Sequence, residues 1–178
     1  MILNLKFLNR QIGFKLISRK NKQREVIGYT NRCADGKYII TLDYDDMPYD
    51  FVYNEIVRLQ EDFQLGDFYI IKSSKESFHA VCLDKLPYMD FLDILMSTSV
   101  DYNYMRIPIQ SGKKLWVLRL TKKDIQPEVM EVVKSSYNYN EKSFAHLNLL
   151  HKVLNIEVPQ EIKGFDLKKE IVLARYRT

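Results

Sequence analysis

Cysteine is scarce in this chain. Cys33 and Cys82 are the only two, too few for a disulfide framework or a zinc ribbon. Cys82 lies in an apolar run and reads as a small core residue, which points to a reducing, cytoplasmic setting. Glycine and proline are scarce too, at 6 and 5 among 178 residues, which excludes a fibrous or loop-dominated protein. No apolar run approaches the length of a membrane span, so no membrane partner is expected. The opening stretch MILNLKFLNRQIGF lacks an early basic region and a small-residue cleavage site, so it is not expected to act as a secretory signal. There is no internal repeat, no low-complexity tract and no Pro/Gly/Ser-rich linker. A strong excess of charge of one sign is also missing: 27 basic residues face 23 acidic ones, for a net charge of +4. That balance permits nucleic acid as a partner without demanding it.

What is present fits one domain, residues 1–178, long enough to bury a core without staples. Basic residues gather at Arg19, Lys20, Lys22 and Arg24, and again at Lys113, Lys114, Arg119, Lys122 and Lys123, while acids concentrate between Asp43 and Asp67. Residues 1–36 read as an N-terminal strand and hairpin addition. Ile2 to Phe14 fits a strand or a helix, and Phe14–Ser18 with Glu25–Tyr29 fits the two arms of a hairpin. Asp35-Gly36 is a turn signal. Lys37–Asp45 then reads as a strand, with Ile40, Leu42 and Tyr44 on one face and Thr41, Asp43 and Asp45 on the other. A helix is predicted next, with Asp46 as N-cap, Pro48 in its first turn, Val52, Ile56, Leu59 and Phe63 as its apolar stripe, and Gly66 closing it.

Phe68–Ser73 and Phe78–Leu83 read as two more strands. Pro87 opens a second helix through Met96, with Tyr88, Phe91, Leu92 and Leu95 on its buried side. Arg106–Gln110 and Lys114–Leu120 read as a hairpin around Ser111-Gly112. After Pro127, helices are predicted over Glu128–Ser135 and Ser143–Leu154, and Ile171–Tyr176 reads as a last strand. The core order is β-α-β-β-α-β, an α/β (α+β) arrangement of the ferredoxin-like or RNA-recognition-motif kind, with residues 124–178 as a mainly helical addition. Helices should then cover one face of the sheet and leave the other open.

Chemistry concentrates at the end of the first core strand. Asp43 and Asp45, two residues apart on a strand, share a side, with Cβ atoms about 6–7 Å apart. Two carboxylates so close repel, and a divalent cation removes the conflict. Alternatively, Asp45 and Asp46 cap the next helix and leave Asp43 solvated. His79, after the polar turn Ser73–Ser77, could set an imidazole beside a phosphate, or serve as a satisfied core histidine. A third acid would complete a two-metal site. Asp101, after the second helix, is the candidate, with Asp84, Asp90 and Asp93 as competitors. His146 and His151 show no metal-ligand spacing and read as structural. Trp116 reads as core rather than as a stacking platform.

The ordered set Thr41-Leu42-Asp43-Tyr44-Asp45, Ser77-Phe78-His79 and Val100-Asp101 resembles the archaeo-eukaryotic primase superfamily, in its compact plasmid and viral primase-polymerase form. The resemblance covers residues 37–123. It implies template-directed nucleotidyl transfer, with Asp43, Asp45 and Asp101 as catalytic residues holding Mg²⁺ or Mn²⁺. It implies that Ser77 and His79 contact the nucleoside triphosphate, and that Arg119 and Lys122 bind phosphate or template backbone. The implied partners are single-stranded DNA and nucleoside triphosphates. This sequence holds no zinc-stem cysteine set, helicase module or G-x-x-x-x-G-K-[ST] loop, so unwinding would come from another protein, such as a replicative helicase, or from segments outside this sequence.

Rival readings remain. A catalytically degenerate primase-fold protein would keep the sheet and bind nucleic acid or replication partners. A nuclease or cyclase on the same sheet would use the same aspartates. An ordinary RNA-recognition motif is disfavoured, since Asp43 and Asp45 stand where aromatic platforms are needed. A rolling-circle initiator could use Tyr137 or Tyr139, but no H-x-H exists.

Overall fold

A computed structural model describes residues 2–7, 10–15, 25–120, 122, 124–154 and 171–177, with the backbone alone for 2–7, 10–15, 25–27 and 171–177. The elements run β1 (Ile2–Phe7), β2 (Arg10–Lys15), β3 (Glu25–Cys33), β4 (Tyr38–Tyr44), α1 (Tyr49–Phe63), β5 (Phe68–Lys72), β6 (Phe78–Leu86), α2 (Tyr88–Met96), α3 (Tyr102–Gln110), β7 (Val117–Arg119), β8 (Glu128–Val133), α4 (Phe144–Leu154) and β9 (Ile171–Arg177). The main sheet is antiparallel, in the order β7-β3-β4-β6-β5-β8, and β9 also pairs with β3. The run β4-α1-β5-β6-α2, with β6 between β4 and β5, matches the first five elements of the ferredoxin-like α+β core expected from the sequence, and the sixth, β7, is hydrogen-bonded to β3 rather than to β4.

Alternation along β4 separates two packing layers. Ile40, Leu42 and Tyr44 join Val52, Ile56 and Leu59 of α1 and Phe91 and Leu95 of α2 in the larger core. Ile39 lies on the other face with Val81 and Leu83 of β6, Tyr29 of β3, and Ala145 and Leu150 of α4. That face was expected to be open. Instead α4 covers the Ile39–Leu83 end, because Ala145, Leu149 and Leu150 bury an apolar stripe there. At the other end of the strand the Asp43 side chain keeps 25% of its surface exposed.

Four local expectations are corrected. Residues 106–110 belong to a helix, not a hairpin arm. The Asp101 carboxylate accepts the Tyr104 amide at 2.8 Å and so caps α3, whereas Ile107 and Ile109 are exposed and their alternation buries nothing. Glu128–Val133 is a strand rather than a helix: β5 has a free edge, and the β-branched Val129, Val132 and Val133 suit pairing to it. Helix α1 starts after Pro48 without a side-chain cap, and it ends at left-handed Gln64 (φ 53°) rather than at a glycine. Gly66 serves a different purpose. Its amide donates to Asp84 at 2.8 Å, and a Cβ there would lie 2.9 Å from an Asp84 oxygen. Finally, β2 pairs with β1 rather than with β3. The Arg19–Arg24 cluster lies outside the described residues.

The loop before α4 is bound along β6. The Lys85 amide donates to the Glu141 carbonyl at 2.7 Å, and the Ser143 amide donates to the Leu83 carbonyl at 2.8 Å. His146, fully buried, donates from Nε2 to the Thr30 carbonyl at 2.9 Å. Its Nδ1 therefore carries the lone pair, and it accepts the Ser143 hydroxyl at 2.6 Å. Burial lowers its pKa from 6.5 to about 4. The unfolded chain protonates this ring near 6.5 while the folded one keeps it neutral down to about 4. Between those values the unfolded state binds more protons, so stability is full above the window and falls as the pH drops through it. Denaturant unfolding from pH 7 to pH 4 should show that slope, and His146→Gln should flatten part of it. An unchanged slope in the variant would mean another group carries it.

Candidate active site at the end of the central strands

β4 and β6 bring the first and second motifs face to face. Asp43 and His79 are direct cross-strand partners. Nε2 of His79 lies 3.4 Å from Oδ1 of Asp43, with the imidazole 8% exposed and the carboxylate 25% exposed. The acid therefore reaches solvent while the ring is walled in by the sheet.

The third motif meets Asp43 from the other side. β3 pairs with β4 only at Arg32–Tyr38, so among the described residues the β4 edge at Thr41 and Asp43 has no hydrogen-bonded strand partner on that side. Two groups take that place. The Asp101 amide donates to the Asp43 carbonyl at 2.9 Å. The Tyr104 hydroxyl has one proton, which it gives to the Thr41 carbonyl at 2.9 Å, and it accepts from the Thr41 hydroxyl at 2.8 Å. Burial, with a smaller push from Asp43 and Tyr29, holds that phenol well above its ordinary pKa, so it stays a donor. Because the Asp101 carboxylate also binds the Tyr104 amide, the start of α3 and the end of β4 form one hydrogen-bonded ring.

Past the strand, Asp45 and Asp46 are exposed, and Asp46 turns the chain with φ 56°, a conformation aspartate tolerates better than most residues. Both line a cleft of about 440 Å³ with Ser74, Ser77 and Asp124. The amides of Ser73 and Ser74 both donate to the Ser77 carbonyl, at 3.0 and 3.3 Å, which tightens the β5–β6 turn against the cleft. Ser74 and Ser77 are buried there, and Lys75 and Glu76 project from the tip.

The structure thus gathers Asp43, His79 and the Asp101 backbone, with Asp45 and Ser77 lining the adjoining cleft. Arg119 is exposed on β7. Its neighbours Leu118 and Leu120 enter the cluster on the Asp43 side of the sheet, so alternation directs Arg119 to the opposite side. Lys122 is exposed. Trp116 is fully buried in the helix-side core. Tyr104 and Asp124 carried no motif. The Asp101-x-x-Tyr104 spacing, an acid three residues before a helical amide, is the signal that would have revealed α3 and with it Tyr104.

Asp43 and Asp45 supply hard oxygen donors, which suit Mg²⁺ or Mn²⁺. Asp101 has engaged one oxygen in the cap and keeps the other. Among the described residues, no three His, Cys, Asp or Glu side chains converge as a ready metal cluster. A divalent ion at this position would fill its shell with phosphate oxygens and water, as Mg²⁺ commonly does. Among the described residues, no helix is long and apolar enough to cross a membrane. No protein family, curated protein or solved structure matches this chain, so its chemistry is read from the site itself.

Proposed function

We propose that this chain is a primase-like nucleotidyltransferase that makes or extends primers on single-stranded DNA in the replication of a mobile element or virus. One observation carries the reading: Asp43 stands between His79 on β6 and Asp101 at the head of α3. Those are the members of the ordered motif set that resembles the primase superfamily. Asp43 and Asp45, with the free oxygen of Asp101, would hold Mg²⁺ or Mn²⁺, which would acidify the primer hydroxyl and neutralise triphosphate charge. His79, fixed by its strand and by Asp43, would meet the triphosphate together with Ser77. Lys122 would contact template backbone farther away, whereas Arg119, on the opposite side of the sheet, stands apart from this site.

A second reading has its own support. The Asp101 carboxylate is already engaged as a helix cap, which fits a degenerate protein that binds nucleic acid without reacting. Nucleotide incorporation on primed and unprimed single-stranded DNA separates the two. The catalytic reading expects incorporation with Mg²⁺ or Mn²⁺ and none with a chelator. Binding without incorporation under either metal would leave only the second reading.

A further inference from the structure

The chain from Tyr102 to Lys123 contains no aspartate or glutamate, yet it holds six basic residues. The acids that bound it belong to the candidate site. Asp101 is bonded to Asp43, and Asp124 lines the cleft with Asp45. A purely basic segment therefore leaves the acidic site and returns to it. Its first part is α3, none of whose residues is buried as a whole, although the Tyr104 hydroxyl is. Tyr104 and Met105 dock it against the core, while Tyr102 is 68% exposed and Ile107 is 55% exposed. The Arg106 guanidinium lies over one face of the Tyr102 ring, 5.4 Å from its centroid. Arg106 is steadied by Gln110 at 3.0 Å. Lys113 and Lys114 follow, exposed, after the Gly112 turn.

We propose that α3 is the single-stranded nucleic-acid track of this site, with Tyr102 as a stacking platform for a base and Arg106 and Lys113 as backbone contacts. The inference rests on the polymerase-like reading for its orientation toward Asp43, and it names the surface that reading leaves open. An exposed tyrosine with a cation behind it offers one free π-face, and every base can stack on that face. Helix faces that dock on proteins also expose isoleucine and tyrosine. The absence of any acid over the whole segment selects a polyanion instead. Tyr102 immediately follows Asp101, which puts this platform at the end of α3 that is bonded to β4.

The test is fluorescence anisotropy of the full chain with a labelled thymidine oligomer and with an abasic oligomer of equal length, without metal or nucleotide. Wild type should bind the thymidine oligomer more tightly. Tyr102→Ala should weaken that affinity about 5- to 100-fold and leave the abasic affinity nearly unchanged. Tyr102→Phe, which keeps the ring, should restore binding. Lys113→Ala should weaken both oligomers and reduce the logarithmic salt slope by about 0.7. Equal binding of the two oligomers, or full affinity in Tyr102→Ala, would overturn the track. Incorporation measured on the same variants keeps the two ideas separate. Tyr102-dependent binding without incorporation by wild type removes the catalytic reading alone. Incorporation with Tyr102-independent binding removes the track alone.

Discussion

Asp43→Asn is expected to fold like wild type and to lose nucleotide incorporation by about 100-fold or more. Asparagine keeps the shape of the side chain and can still face His79, but it removes the charge. The position is partly exposed and lies outside both apolar clusters, so stability should change by less than about 1 kcal/mol. Activity should change far more. A metal bound through a carboxylate stabilises developing phosphoryl charge by several kcal/mol, and about 2.7 kcal/mol already corresponds to 100-fold. Asp45→Asn should act in the same direction. Parallel thermal unfolding and incorporation assays would check both halves. Retained activity in Asp43→Asn would remove this aspartate from the chemistry, whatever the fate of Asp45.

The largest loss of stability is expected from Trp116→Ala. This side chain is fully buried, sits edge-on to Phe91 at 4.9 Å, and lies 6.4 Å from the Tyr88 ring. Truncating a buried aromatic costs about 3–5 kcal/mol through lost burial and the cavity left behind. Trp116→Phe should cost much less. The indole Nε1 finds no acceptor among the described residues, so phenylalanine removes an unsatisfied donor along with some volume. Denaturant unfolding of both variants measures the difference. Equal losses would show that the indole N–H is satisfied after all. A loss below about 1 kcal/mol in the alanine variant would place this residue outside the cooperative core.

How far the sequence could be read depended on where each segment finds its partners. β4, β5, β6, α1 and α2 announce themselves because their apolar periodicity matches one shared interior. Ile40, Leu42 and Tyr44 meet the stripe Val52, Ile56 and Leu59 in a single cluster. That the strands bearing Asp43 and His79 are neighbours follows from that order, whereas the register that sets the two residues opposite each other does not. Segments whose state depends on distant partners were less legible. Glu128–Val133 has a pattern compatible with a helix, and only the free edge of β5 makes it a strand. Ile107 and Ile109 alternate like a strand, yet nothing lies opposite to bury them, and the cap at Asp101 decides for a helix. The cover that α4 lays over the second face depends on contacts between residues more than a hundred positions apart, such as His146 with Thr30. No local pattern could disclose that. The closeness of Asp101 to Asp43 was expected from order alone, and its route, through a backbone amide rather than a carboxylate, was not.

The ring joining Thr41, Asp43, Asp101 and Tyr104 also bears on motion. Loops that carry reactive groups usually open locally, at little cost, while the core stays shut. Here the amide at the head of α3 is held by a carbonyl of a central strand, and the phenol one turn later by another carbonyl of the same strand. The aspartates can therefore separate only if the edge of β4 loosens with them. Their spacing fluctuates with the sheet, and not with the exposed Lys75 and Glu76 at the tip of the β5–β6 turn.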